Sequence, residues 1–150
     1  YAVVYLAPYN YHRVHCPLDG ELTHWRYVPG ALYPVNKTGL KHVPGLFARN
    51  ERVIGHFDSE FGKCAVIMVG ATFVGHMTVA FADFASNENQ PATGKVIPPK
   101  AVKMGRGDEF GVFEMGSTVV LIFDNPNLEP ALQLGSAIRA GEAALKVRSS

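Results

Sequence analysis

Two groups of residues in this chain could do chemistry, and they stand near opposite ends of it. The first is Tyr11-His12-Arg13-Val14-His15-Cys16-Pro17, with two histidines three positions apart just before a proline. A neutral imidazole takes a proton near neutral pH and the imidazolium returns one, so a pair can divide the roles of base and acid. On a strand this odd spacing puts the rings on opposite faces, whereas in a turn or short helical segment they converge. The same spacing could contribute to a metal site only with further ligands, and no metal is expected. The second group is Phe113-Glu114-Met115-Gly116-Ser117-Thr118, between two β-prone segments. Taken alone, Gly-Ser-Thr is a common turn or strand-edge sequence; with a base in reach its hydroxyl becomes a nucleophile.

The elements that must position these residues are short. Gly and Pro punctuate the chain, and between them lie runs rich in Val, Ile, Phe, Tyr and Thr at 2–6, 52–57, 65–69, 72–80 and 118–123. This pattern predicts a mainly β protein, a barrel or sandwich of short strands joined by turns with few short helices. Segments 17–35 and 94–123 share a layout of paired short hairpins that resembles the halves of the lipoyl or biotinyl barrel-sandwich hybrid. Segment 86–94 is polar, is followed by Pro98 and Pro99, and reads as an exposed loop, while 128–134 and 137–147 read as short helices or turns.

A chain of 150 residues supports one well-packed domain, here 1–150. The formal net charge of +1, with both signs scattered, suggests neither a nucleic-acid footprint nor an electrostatic hold on anionic lipid. Cys16 and Cys64 form no CxxC pair and read as packed free thiols. The longest apolar stretch, 64–74, is broken by Gly70 and Thr72 and is about half of the roughly 20 residues that a spanning helix needs. The chain opens at Tyr1 inside a β-prone run, as if entered partway through a domain, so any targeting or anchoring segment is expected upstream.

Four segments, Tyr11-His12-Arg13-Val14-His15, Phe47-Ala48-Arg49-Asn50-Glu51-Arg52, Val69-Gly70-Ala71 and Met115-Gly116-Ser117-Thr118, follow one another in an order typical of phosphatidylserine decarboxylases. The chain resembles that family over nearly its whole length. Met115 stands where the family more often has Leu, a nearly volume-conserving exchange. The resemblance implies self-cleavage between Gly116 and Ser117 into a larger chain, 1–116, and a smaller one, 117–150. Ser117 attacks the Gly116 carbonyl, with His15 the matching base; elimination from the resulting ester and hydrolysis leave a pyruvoyl group in place of Ser117. The amine of phosphatidylserine then condenses with the pyruvoyl carbonyl, which withdraws electrons as carbon dioxide leaves, and His12 matches the position that returns a proton. Glycine suits the scissile position because it allows close approach and a strained turn.

The resemblance also implies a peripheral, membrane-associated enzyme of a bacterial inner or organellar membrane, attached mainly through upstream segments, without nucleic acid as a partner and with a homodimer left open. In the family an aspartate upstream of the histidine motif orients the self-cleavage histidine, and no Asp precedes Tyr11 here. Without that carboxylate the ring is expected to lose its preferred tautomer and self-cleavage to slow or fail.

Arg49, Asn50 and Arg52, with Tyr11, are candidates for holding the substrate's phosphate or carboxylate, since arginine suits bidentate recognition. The plainer expectation is an ion pair of Arg49 or Arg52 with Glu51, or turn hydrogen bonds. Trp25 and Tyr27 read as strand packing, His24, His42, His56 and His76 as surface or satisfied core residues, and Val69-Gly70-Ala71 as a close backbone approach. Two alternatives stand beside the leading function: a related pyruvoyl decarboxylase acting on another serine lipid or a small amino-acid conjugate, and a non-catalytic barrel-sandwich module.

Overall fold

The computed structural model describes residues 1–72, 76–87, 96–97, 101–114 and 116–148. Its strands are β1 (Ala2–Leu6), β2 (Arg13–His15), β3 (Gly20–Val28), β4 (Arg52–Ser59), β5 (Gly62–Val69), β6 (Met77–Val79), β7 (Val96–Ile97), β8 (Val102–Met104), β9 (Glu109–Phe113), β10 (Ser117–Phe123), β11 (Leu128–Pro130) and β12 (Leu145–Val147). Two short helices, α1 (Lys37–His42) and α2 (Leu46–Arg49), lie in the crossover from β3 to β4.

The large antiparallel sheet runs β1-β10-β5-β4-β3, with β7 and β8 both pairing with β3. A second sheet, β2-β9-β6, packs over it. Alternation drives the layering: on β5 the side chains of Cys64, Val66 and Met68 are buried while Lys63 is exposed, the period of a strand with one face in a core. From the second sheet Phe110 and Phe113 enter the same core, and the Phe110 ring lies 5.9 Å from that of Phe57 on β4. Trp25 and Tyr27 are buried against Phe84 at ring separations of 5.1 and 5.3 Å, so both serve packing. Cys16 and Cys64 are buried free thiols, as read from the sequence.

The expected mainly β sandwich is therefore present, and no sheet closes into a barrel among the described residues. Three local expectations change. The run at 72–80 yields a strand only at Met77–Val79, and 73–75 lie outside the described residues. The C-terminal segments are not helical: β11 and β12 pair as a separate two-stranded sheet, with turns between them. The helices stand instead at 37–49, where Asn36 caps α1 by accepting the Gly39 N–H at 3.0 Å. At the start of the expected exposed loop, Ser86 is fully buried and its hydroxyl accepts the Met77 N–H; 88–94 lie outside the described residues.

Candidate active site

Two connections between the sheets run side by side at one corner. One passes from β1 to β2 through residues 7–12, and the other from β9 to β10 through 114–116. Leu6 is the register partner of Ser117, and the Phe113 N–H donates to the His12 carbonyl at 3.0 Å, so each connection is tied to the other at both ends. The first is tightened by Asn10, whose N–H donates to the Ala7 carbonyl while its side-chain oxygen accepts the Ala7 N–H, each at 2.8 Å. Gly116 is pressed against this turn. A Cβ there would lie 2.7 Å from the Leu6 oxygen and 2.9 Å from the Pro8 nitrogen, so a larger residue would force the connections apart.

Ser117 is fully buried and Thr118 is 1% exposed, yet neither hydroxyl has a hydrogen-bond partner among the described residues. The same holds for the buried Nε2 of His12. Burying a polar group unpaired costs about 1–3 kcal/mol, and most buried polar atoms in folded proteins are paired, so such groups gathered at one corner mark a place built for something other than stability.

The two histidines sit at opposite ends of β2. His12 is bonded to Phe113, on the connection that leads to Gly116. His15 is opposite Glu109, past a register shift after Val14, and its Nδ1 lies 2.8 Å from the Gly107 carbonyl. A carbonyl can only accept, so Nδ1 carries the proton and Nε2 the lone pair, which takes the Tyr11 O–H at 2.7 Å. The Tyr11 ring stacks on the His15 ring at 5.6 Å. The single tautomer expected to need an upstream aspartate is thus fixed by a backbone carbonyl. The fold brings His12 to the Gly116–Ser117 corner; it carries His15 toward Gly107.

Asn50 is fully buried and its amide is fully used: Oδ1 accepts the Tyr33 N–H at 3.1 Å, and Nδ2 donates to the Tyr33 and Gly70 carbonyls, each at 2.8 Å. Arg49 is exposed, donates to the Tyr33 hydroxyl at 2.9 Å and lies over the Tyr33 ring at 4.9 Å. Arg52 donates to the Ala48 and Asn50 carbonyls, so turn hydrogen bonds rather than an ion pair with Glu51 occupy it.

Glu51, read from the sequence only as an ion-pair partner of the flanking arginines, is buried. Its side chain is 2% exposed and its carboxyl accepts from the Tyr27 hydroxyl at 2.9 Å, from Asn87 at 3.2 Å and from the Ser86 hydroxyl at 3.4 Å. Burial pushes its pKa above the ordinary carboxyl value, and these three donors partly offset the rise. Burial, and then the bond to Glu51, push the Tyr27 hydroxyl up in turn. Glu51 also explains Gly70: a Cβ there would lie 2.9 Å from Glu51 Cγ and 3.1 Å from Oε1. Flanking arginines pointed to ion pairing, and only the burial shows otherwise.

A family model described as phosphatidylserine decarboxylase matches residues 1–146. A phosphatidylserine decarboxylase proenzyme of Anaeromyxobacter sp. (strain K) is 44% identical over 146 residues, covering 95% of this chain and 52% of that protein. One from Dechloromonas aromatica (strain RCB) is 45% identical over 148 residues, covering 95% and 51%. One from Shewanella loihica (strain ATCC BAA-1088 / PV-4) is 39% identical over 158 residues, covering 98% and 54%. The chain spans about half the length of these curated relatives.

Proposed function

The chain belongs to the phosphatidylserine decarboxylase family, and on that premise we propose that it is the catalytic part of a self-processing enzyme converting phosphatidylserine to phosphatidylethanolamine and carbon dioxide. The observation that carries the reading is the Ser117 hydroxyl, fully buried and unpaired, directly after a glycine held tightly against the neighbouring turn. An unpaired hydroxyl has no bond to give up before it attacks, and glycine leaves the preceding carbonyl unshielded. The pyruvoyl group formed from Ser117 supplies the electron sink for decarboxylation.

His12 is the residue proposed to hold a proton for the substrate, supported by its place at the corner and its unpaired Nε2. His15 is proposed as the base for self-cleavage, supported by the lone pair that its bond to Gly107 leaves on Nε2. Tyr11 occupies that lone pair, so base action requires the contact to open. Arg49 is the proposed phosphate contact: Asn50 fixes the Tyr33 backbone, and the Tyr33 ring and hydroxyl support the guanidinium from below while it stays exposed.

No described helix is long and apolar enough to cross a membrane. The proposed substrate is a lipid, so the corner must meet a bilayer surface. The exposed Tyr5, Tyr9 and Tyr11 beside it suit a shallow interfacial contact, with firmer attachment left to other segments of the protein. Intact mass and peptide mapping of the complete protein test the reading. The expected result is two chains parted between Gly116 and Ser117, the smaller without an amino terminus; a break at any other bond, or a chain that stays whole, overturns it.

A further inference from the structure

Glu51, Gly70 and Ser117 lie at the adjacent ends of three neighbouring strands, just before β4, just after β5 and at the start of β10. Val69 is the register partner of both Arg52 and Thr118, so one step along the same ladders places Gly70 between Glu51 and Ser117. The Gly70 N–H donates to the Glu51 carbonyl at 2.9 Å and the Gly70 carbonyl accepts from Asn50, so both of its backbone groups turn toward the Glu51 side. Continuing the Val69–Thr118 pairing by one step sets Gly70 opposite Ser117 with its backbone groups turned away, the arrangement of a non-hydrogen-bonded pair, in which the Cα–H groups face each other. Residues in one such row share a face, and the Glu51 side chain lies across the space that a Gly70 Cβ would fill. The continued row places the buried Glu51 carboxyl over Gly70, the neighbour of Ser117, on the face that the Ser117 side chain shares.

Building on the self-processing reading, we propose that Glu51 is the base that removes the Cα proton of Ser117 in the ester stage of maturation. The Glu51 carboxylate takes that proton, the electron pair forms the Cα=Cβ double bond, the Cβ–Oγ bond breaks, and the Gly116 carboxylate departs. Glu51 is left neutral, position 117 becomes a dehydroalanine, and charge balances. The surroundings suit both forms of the carboxyl. Burial favours the neutral acid that results, while the donors from Tyr27, Ser86 and Asn87 hold the anion beforehand.

The test is the complete protein carrying Glu51→Gln, followed by intact mass with and without hydroxylamine, which cleaves an ester but not a peptide bond. Wild type is expected to mature to the pyruvoyl form. Glu51→Gln is expected to stall at the ester, staying one chain until hydroxylamine splits it into a Gly116 hydroxamate and a piece that begins with intact Ser117. Glu51→Asp, which keeps the acid, is expected to recover slow maturation, a rescue that a purely structural role would not give. Maturation of Glu51→Gln at the wild-type rate overturns the assignment, as does a folded Glu51→Gln with no hydroxylamine-sensitive bond. If the wild type itself is never cut at Gly116–Ser117, it is the self-processing reading that fails.

Discussion

Asn50 and Ser117 are both completely buried, and the fold treats them in opposite ways. Every hydrogen-bonding group of the Asn50 amide is met by backbone from Tyr33 or Gly70. The Ser117 hydroxyl has no hydrogen-bond partner among the described residues. The two regions are joined through Gly70, which Asn50 binds directly and which lies one step beyond the Val69–Thr118 pair. One region uses polarity to hold the crossover from β3 to β4 in place, and the other keeps polarity unspent. Satisfied polar burial serves structure; unsatisfied burial costs stability and persists where a reaction uses it.

The sharpest way to break this comparison is Ser117→Ala. It should leave one uncut chain with no decarboxylase activity, and its thermal stability should stay level or rise by up to about 1 kcal/mol, because an unpaired buried hydroxyl is removed. A clear loss of stability, read from melting, would mean that Ser117 contributes structurally after all. Next in size is the pair of histidines. His12→Ala should still be cut but lose roughly 10²- to 10⁴-fold in decarboxylation, as for a missing general acid, whereas His15→Ala should remain a single chain by mass. If His12→Ala alone stopped the cut, the roles would be exchanged, and the position of His12 beside Phe113 would be the reason.

The opposite region predicts the opposite phenotype. Asn50→Ala removes three hydrogen bonds and strands buried backbone groups, so it should cost about 3 kcal/mol, read as a lower denaturant midpoint at unchanged slope. The smallest effect sharpens the contrast between Asn50, which cannot titrate, and its neighbour Glu51, which can. A carboxyl with a raised folded-state pKa binds its proton more tightly in the native protein than in the unfolded chain. The stability this contributes is present at acid pH and is lost as pH rises through the ordinary carboxyl value up to the raised one. Glu51→Gln should flatten that part of the stability–pH curve, measured by denaturation at a series of pH values.

Much of the fold could be read from residue types alone, because β-branched and aromatic runs such as Ala2–Leu6 alternate exposed and partly buried positions as strands do. The C-terminal hairpin could not. β11 and β12 are three residues each, lie far apart in sequence, and take their register from pairing rather than from any periodicity that three residues can display. In the candidate site, residue types alone single out Gly116-Ser117 and His12 as candidates for chemistry, and Gly70 was legible as a close approach. What approaches it was not, since Glu51 stands between Asn50 and Arg52 and reads locally as a surface ion-pair partner. Its burial comes from Tyr27, Ser86 and Asn87, which no local pattern connects.

The place of β10 in the large sheet has a consequence for what the molecule becomes. It starts at Ser117 and is paired with β1 from Ser117 to Leu121 and with β5 from Thr118 to Phe123, so it is flanked on both sides. If the chain is cut just before it, residues from 117 onward supply one inner strand of a sheet whose other strands all belong to the first piece. Neither piece can leave without opening that sheet. A fold assembled as one molecule then persists as two, held by noncovalent pairing, and its unfolding changes from a unimolecular to a bimolecular equilibrium. The melting temperature of the cut form should therefore rise with protein concentration while that of the uncut Ser117→Ala chain should not. Refolding from separated pieces must wait for them to meet, so a cut at this point would be a one-way step for the architecture as well as for the serine.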